Sequence, residues 1–527
     1  MPTPVLDSLA EDGTILTRFY SSYACTPARA ALMTGRFPSR TNMKNPEYRE
    51  FSLALNEDEE LLPEVLGNLG YQTHMVGKWH LGHYMRKFHP VGRGFESFCG
   101  NLGGNLDYFY HNYGSADEYS PHDLSCATSK STTSSGKCEE YKSYYEDDIT
   151  SEQSYVMDML QPDSESVTPD AATYGKYYTT NIYGQKSVDV IKAHDRARGP
   201  LFLYVPFTAG RAPMQALADD FDACYNTIDD SDTTRLVICS MVKTLDRNVG
   251  DIVDALKAQG MWDDTLFVFA SDNGGSLDRG SDNGPLRGTK GDQYEGGIRT
   301  PAFLHFGKNT VSDAALTRGV LNAQPVHTVD LFRTIVGAAL QDASSYRFKN
   351  EIDGRDLWKH LSTGAAFPSD VAGVNFNFAA GPGFLSRTTK TEYNDDGSYV
   401  EAVMATYEGT EFKLCRNCGG FYSDEIFDLV ADPSESKNLA HLPEYAGVAA
   451  FLNDTLESWV EVSYPLLKYP TLTERASELL EGAGMDPDLA DDFVIGNDCF
   501  LPLDSPEFLC TDCSALLHSF PDTVPPR

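Results

Sequence analysis

Short apolar runs of β-prone residues alternate along this chain with amphipathic helical stretches, and that alternation limits the possible folds more than any other feature. Thr73-His74-Met75-Val76, Leu201 to Phe207 and Thr265-Leu266-Phe267-Val268-Phe269-Ala270 read as buried strands, with Pro301 to Phe306 as a weaker one. Residues 57–70 carry Leu61, Leu62, Val65, Leu66 and Leu69 at helical spacing, and Gly70 suits the stop. Residues 180–195 (Ile182, Val188, Val190, Ile191) and Met241 to Leu256 (Leu245, Val249, Ile252, Val253, Leu256) repeat the helical pattern. Such an order predicts an α/β fold whose large sheet is mainly parallel and covered by helices on both faces.

A chain of 527 residues is long enough for one large domain and a smaller one. The large unit is expected over residues 1–365. Within it, residues 103–170 are rich in Tyr, Ser, Asp and Glu and read as a long loop insertion. Residues 366–469 read as a smaller α+β unit. In it Tyr399 to Tyr407 and Glu425-Ile426-Phe427-Asp428-Leu429 suggest antiparallel strands, and Val448 to Trp459 a final helix. Residues 470–527 form an acidic tail that carries Cys499, Cys510 and Cys513.

A net charge of −35 argues against nucleic acid or an anionic membrane as partner. It also means that an anionic substrate needs a locally basic pocket. No apolar run approaches a membrane span, so membrane insertion is not expected. Of the 11 cysteines, ten remain when Cys25 is set aside, enough for five disulfides in an oxidising compartment. The pairs Cys415/Cys418 and Cys510/Cys513 could instead make a zinc site, but their distance in sequence favours disulfides. Asn453-Asp454-Thr455 is a glycosylation sequon. Met1 to Ala10 shows no charged start followed by an apolar core, so no signal peptide is visible.

The run Cys25-Thr26-Pro27-Ala28-Arg29-Ala30-Ala31-Leu32-Met33-Thr34-Gly35-Arg36 sets a cysteine at the start of a short helix and an arginine one turn in. Thr26 suits the N-cap, Pro27 the first helical position and Gly35 the stop. Unpaired backbone N–H groups at such a helix start lower a thiol pKa and also bind an oxyanion, and Arg29 adds a permanently charged fork. Taken alone, these features fit a disulfide cysteine beside a capped surface helix just as well. Three more polar motifs follow strands, where ligands bind in open α/β sheets. Gly77-Lys78-Trp79-His80 offers an oxyanion-binding lysine and a histidine that titrates near neutrality, both on one side of an extended segment. Ser271-Asp272-Asn273-Gly274-Gly275 offers hard oxygen ligands for Ca²⁺ or Mg²⁺, or else a polar turn. Pro285 to Arg299 holds Lys290 between glycines that allow close backbone approach.

The Cys-x-Pro-x-Arg run followed by Ala-Ala-Leu-Met-Thr-Gly-Arg resembles the signature of the formylglycine-dependent (type I) sulfatases, and the other motifs are similar to theirs. Thr180-Asn181-Ile182, Pro200 to Tyr204 and Ser271 to Gly275 look most like the arylsulfatase B (N-acetylgalactosamine-4-sulfatase) members. The resemblance implies an alkaline-phosphatase-like sandwich with a smaller C-terminal antiparallel domain. It implies a sulfuric ester hydrolase acting on a carbohydrate or aryl sulfate, with Cys25 oxidised to formylglycine by a formylglycine-generating enzyme. It further implies sulfate-binding roles for Arg29, Lys78 and Lys290, assistance of turnover by His80, Ca²⁺ at Asp272 and Asn273, and a secreted or lysosome-like compartment.

Two departures from the family pattern stand out. The Asp-Asp pair that ends the family's first strand lies upstream of the Thr-Pro-x-Leu-Asp helix and is missing here, which leaves too few ligands for calcium. Arg211 stands where relatives usually have a histidine, and an arginine binds an oxyanion without donating a proton near neutral pH. A non-catalytic homologue that binds sulfated glycans, and a phosphomonoester or phosphonate hydrolase of the same superfamily, are therefore rival readings.

Overall fold

The structure is a computed structural model that describes residues 1–44, 53–83, 86–109, 111, 125–128, 136–137, 178–217, 220, 224–225, 227, 233–310, 318–367, 375–377, 401–418 and 424–462. Most of the expected insertion and the whole acidic tail, with Cys499, Cys510 and Cys513, lie outside these residues.

Two sheets form the body of the larger unit. One has the order β11-β1-β10-β8, from β1 (Thr14–Leu16), β8 (Leu266–Ala270), β10 (Ala302–Phe306) and β11 (Val320–Asn322). The other has the order β6-β5-β4-β3-β7, from β3 (Gln72–Lys78), β4 (Ser97–Asn101), β5 (Ser125–Thr128), β6 (Gly136–Lys137) and β7 (Leu201–Tyr204). A small third sheet joins β2 (Phe19–Tyr20) to β9 (Arg299–Thr300) and β12 (Val326–His327). The expected strands are present, and the sheets are mixed. β3 runs parallel to β4 and β7, while β10 lies antiparallel to both β1 and β8. The connection from β8 to β10 contains no long crossover helix, and without one β10 returns antiparallel.

The helices that bear on the site and the packing are α1 (Pro4–Glu11), α2 (Cys25–Thr34), α3 (Leu62–Asn68), α4 (Thr179–Ala193), α5 (Thr233–Ala258), α6 (Glu295–Ile298), α7 (Thr328–Leu340) and α8 (Ala446–Val462). The helix expected from residue 57 starts only at Leu62. Pro63 occupies its first turn, and the Glu64 carboxylate accepts the Leu61 N–H at 2.8 Å. Asp246 of α5 accepts the backbone N–H groups of Val5 and Leu6, which ties the start of α1 to the long helix.

One departure concerns β7 and β8. Apolar runs of this kind in an α/β sheet are normally enclosed on both faces, as Met75 and Val76 of β3 are. Instead Leu201, Phe202, Leu203 and Tyr204 are only half-buried, as are Leu266, Phe267, Val268 and Phe269. Each strand ends its sheet, so among the described residues each has one unpaired edge. Both line a cavity of about 2240 Å³, which Val242, Leu245 and Val249 of α5 and Leu331 and Ile335 of α7 also border.

The C-terminal unit is an antiparallel sheet of β13 (Asn375–Asn377), β14 (Glu401–Tyr407), β15 (Thr410–Arg416) and β16 (Asp424–Asp428), with α8 packed on it through Leu452 and Leu456. Phe37 meets Trp459 of α8 edge-on at 4.9 Å, and Arg18 pairs with Glu411 at 2.6 Å. Between the units lies a fully buried ion cluster. The Lys413 ammonium on β15 is 3.0 Å from the Glu295 carboxylate and 2.5 Å from that of Glu435. Burial, offset in part by Lys413 and reinforced by Glu295, pushes the Glu435 carboxyl up from its ordinary 4.5 to about 7. The folded protein therefore holds this proton between about 4.5 and 7 while the unfolded chain releases it, so stability rises as pH falls through that window. Glu435→Gln should reduce the stability difference between pH 5 and pH 8 by on the order of 1–3 kcal/mol, measured by denaturant unfolding at both pH values. An unchanged difference would show that Glu435 does not hold that proton.

Candidate active site

The cavity gains its chemistry where α2 meets the ends of β3, β7 and β8. Cys25 itself is the first residue of α2, and the N-cap is Ala24 rather than Thr26, so the cap lies two residues before the expected one. Alanines keep the helix thin enough to be enclosed, with Ala28, Ala30 and Ala31 essentially inaccessible. Gly35 ends it at φ 66°, and a Cβ there would sit 2.8 Å from the side chains of Phe332 and Ile352.

Among the described residues Cys25 is the free cysteine, and it is buried. The Lys290 Nζ donates to its Sγ at 3.2 Å. Burial by itself would push the thiol up. Lys290, Lys78, Arg211 and Arg29 together outweigh it and hold the thiol well below its usual range. Arg29, one turn along the helix, donates to the Lys78 carbonyl at 2.7 Å and to Oδ2 of Asp272 at 2.9 Å. A single guanidinium thus fixes the ends of β3 and β8 against α2.

Lys78 closes β3 and is 1% exposed. Burial, aided by Arg29 and Arg211 and opposed by Cys25 and Asp272, lowers its ammonium to about 7. The expected extended geometry for Lys78 and His80 does not hold, because β3 stops at Lys78 and His80 has φ 62°. The chain turns there, yet both side chains border the same cavity. Gly104 lies against the His80 ring, where a Cβ would approach Nε2 to 2.7 Å.

Arg211 follows β7. Its carbonyl, with that of Thr208, accepts the Tyr108 hydroxyl, and this anchors the segment. Its Nε is buried with no hydrogen-bond partner among the described residues. Asp272 and Asn273 follow β8. Ser21 Oγ donates to the Asp272 carbonyl at 2.8 Å, and Asn273 Nδ2 to the Gly274 carbonyl at 2.9 Å. Asn283 staples this turn to the Lys290 loop by exchanging bonds with Gly275 and donating to the Gly288 carbonyl.

Cys25, Arg29, Lys78, His80, Arg211, Asp272, Asn273 and Lys290 therefore all line one cavity. Sequence reasoning missed Tyr204, Thr208 and Asn105, which share that wall, and the Asn283 staple, whose trace in sequence is only an Asn-Gly-Pro turn. The oxygen donors do not suffice for calcium. Asn273 Oδ1 is buried and unpaired among the described residues, as a ligand atom would be, but Asp272 Oδ2 is engaged by Arg29. Among the described residues no group of three or more acidic, histidine or cysteine side chains is placed to hold a metal ion, whereas Ca²⁺ takes about six to eight oxygens. Cys415 and Cys418 form a disulfide, not half of a zinc site, and Cys224 pairs with Cys239. Asn453 of the sequon lies within α8, with Oδ1 accepting from Arg416 at 2.5 Å.

The family model named Sulfatase matches residues 1–341. Mouse arylsulfatase J is 27% identical over 514 residues, covering 92% of this chain and 76% of that protein. Mouse N-acetylgalactosamine-6-sulfatase is 29% identical over 473 residues, covering 84% and 78%. Among solved structures, Ps i-CgsB in complex with k-i-k-neocarrahexaose superposes with a TM-score of 0.65 at 25% identity, covering 91% of this chain and 92% of that one. The phosphonate monoester hydrolase of Agrobacterium radiobacter shares the fold, with a TM-score of 0.58 at 18% identity and 90% and 94% coverage. With a matching family model over most of its length and its signature residues gathered in one cavity, the chain belongs to the sulfatase family.

Proposed function

We propose that this sulfatase cleaves carbohydrate or aryl sulfate esters at the Cys25 cavity, with residue 25 acting in its formylglycine form. The carrying observation is the grouping of Lys290, Lys78, Arg211 and Arg29 around Cys25 in a chain of net charge −35. Such a grouping serves a bound anion, because assembling cations in a dry site is otherwise unfavourable. Oxidation of the thiol to an aldehyde supplies, once hydrated, an oxygen nucleophile toward sulfur. Overall, the sulfur–oxygen bond to the alcohol breaks, water supplies the replacing oxygen, and the alcohol leaves protonated.

The chain's own residues divide this work by charge type. Arg29, paired with Asp272, stays charged and orients one face of the sulfate. Arg211 binds oxygen without offering a proton, so protonation of the leaving oxygen falls to the lysines, with Lys290 nearest residue 25. His80, enclosed beside Gly104, is the imidazole suited to proton transfer at residue 25. Catalysis is then mainly positioning and charge stabilisation. Residues 1–365 are the catalytic unit in this reading and 366–469 a supporting one. Two disulfides, Cys224–Cys239 and Cys415–Cys418, support an oxidising, secreted or endomembrane compartment in which a formylglycine-generating enzyme matures the protein.

The slot between β7 and β8 bears on the calcium question. Arg211, which follows β7, acts on the Cys25 thiol, and Asp272, which follows β8, bonds Arg29 of the same helix, so both strands run with their C-terminal ends toward residue 25. A strand of about five to seven residues inserted parallel to both would pair the two free edges. Its far end would reach Asp272 and Asn273, where carboxylates would complete a Ca²⁺ site.

Two tests follow. Protein from its native source should carry residue 25 as the aldehyde by peptide mass spectrometry and should hydrolyse 4-nitrophenyl sulfate, with Cys25→Ala losing about 10⁴-fold or more. Unmodified thiol in an active protein would remove the proposed nucleophile, and faster cleavage of the phosphate ester would favour a phosphatase. Because Lys78 loses its charge near 7, kcat/KM should fall above that pH, and Lys78→Arg should carry the remaining activity to higher pH. For the slot, an apolar peptide ending in Asp-Asp should raise both the melting temperature and the Ca²⁺-dependent activity of the 527-residue chain, and one ending in Asn-Asn should raise only the former. Full activity unaffected by chelation would sink the slot proposal.

A further inference from the structure

The mechanism leaves the buried Lys413–Glu295–Glu435 cluster unused, although it lies one short helix away from Lys290. Glu295 is the first residue of α6, and its side chain accepts from Lys413 at 3.0 Å and from the Tyr20 hydroxyl at 3.0 Å. Its backbone N–H donates to Oε2 of Glu435 at 2.6 Å. Glu435 is itself held in a turn at φ 56°, where Asp432 accepts from Ser434, Ser436 and Lys437. Arg299 stands 3.6 Å from Glu295, and Arg287 donates to the Glu435 carbonyl and to the Tyr294 hydroxyl, which is bonded to Glu425. Two groups of the C-terminal unit, Lys413 on β15 and Glu435 in the turn after β16, thus grip both the side chain and the backbone of one residue in the larger unit.

From Glu295 the connection runs through backbone contact. A Cβ on Gly296 would lie 2.5 Å from the Gly288 carbonyl oxygen. One on Gly297 would lie 2.1 Å from that of Asp292 and 2.7 Å from that of Thr289. Lys290 sits between those contact points. A Cβ on Gly274, beside Asn273, would lie 1.9 Å from the Gly296 oxygen. Helix α6 is therefore pressed without side-chain padding against the loop that carries Lys290 and the turn that carries Asp272 and Asn273. Close-packed backbone of this kind transmits small displacements rather than absorbing them.

We propose that Lys413 and Glu435 are positioning residues for Lys290: by clamping Glu295 they set α6, and α6 sets the loop that holds the Lys290 ammonium against Sγ of Cys25. The proposal adds to the reading of Cys25 as the reacting residue, but its test does not need that reading. It uses the full chain with Cys25 left as a thiol and follows the rate of alkylation by iodoacetamide against pH. Lys290→Ala removes the nearest cation and marks the full effect, expected as an upward move of the alkylation midpoint by about one pH unit, or about tenfold less thiolate below it.

Lys413→Met removes the one ammonium shared by the two buried carboxylates, leaving Arg299 beside Glu295 only, and risks misfolding. The double variant Lys413→Met/Glu435→Gln leaves Glu295 opposite Arg299 and Tyr20, and it is the decisive protein. Its midpoint should move at least half as far as that of Lys290→Ala. Trp459→Leu loosens the same pair of units through the Phe37 contact, away from α6, and should lower the melting temperature without moving the midpoint. A folded double variant that alkylates like the wild type would overturn the proposal and leave the cluster as a tie between units. An equal shift in Trp459→Leu would overturn it too, because any loosening would then suffice. Absence of sulfatase activity in the matured protein would count against the catalytic reading while leaving a midpoint shift in place.

Discussion

Four cationic side chains crowd one buried sulfur atom in a chain that is otherwise strongly acidic, and the organisation of the larger unit follows from making that possible. Burying like charges together is unfavourable unless each is tied to something. Arg29 is tied to Asp272 and to the Lys78 carbonyl, so it serves as a rivet between a helix and two strand ends as well as a charge. Lys78 has no such partner among the described residues and yields instead, its ammonium lowered to about 7. Lys290 is placed from a loop whose neighbours are glycines, which lets backbone approach backbone without intervening side chains. The site thus combines a fixed cation, an adjustable one and one whose position depends on its loop.

The same economy of space explains the shape of the cavity. Three strands, β3, β7 and β8, deliver loops to it, but β7 and β8 belong to different sheets and do not pair with one another. Their apolar side chains consequently remain half-covered, a state that a completed sheet would not tolerate. The half-covered strands and the metal question meet at one place: Asp272 and Asn273 follow β8, and among the described residues no strand pairs with the outer edge of β8 or of β7.

Much of this was legible in the residues, and the part that was not has a common cause. Cys25, Arg29, Lys78, Asp272 and Lys290 could be picked out because each sits in a contiguous motif that resembles the sulfatase signature, whereas local rules alone left plainer readings of each open. The start of α2 was misplaced because Thr26 is a good cap residue in isolation, whereas burial of the whole turn gave the role to Ala24. The turn at His80 was hidden because the run of β3 offers no signal for a positive φ on a histidine. The half-exposure of β7 and β8 could not be foreseen, since burial belongs to the neighbours a strand has and not to its own pattern. Lys413 and Glu435 were invisible for a stronger reason: they lie 118 and 140 residues from Glu295, and a lysine in a strand is ordinarily a solvent-facing one.

That last case changes how the C-terminal unit is understood. An antiparallel sheet added to an α/β domain can be regarded as a cover that shields apolar surface, and Phe37 and Trp459 do serve that end. A cover needs only apolar contact, which is tolerant of small shifts. An ion cluster with no solvent access is intolerant of them, because each partner's separation is fixed by the cost of leaving a charge unpaired. Such a cluster is a weak source of stability but a strong source of position. Its placement against α6, rather than anywhere else along the contact between the units, puts that positional precision beside Lys290, which reaches Sγ of Cys25 from a loop.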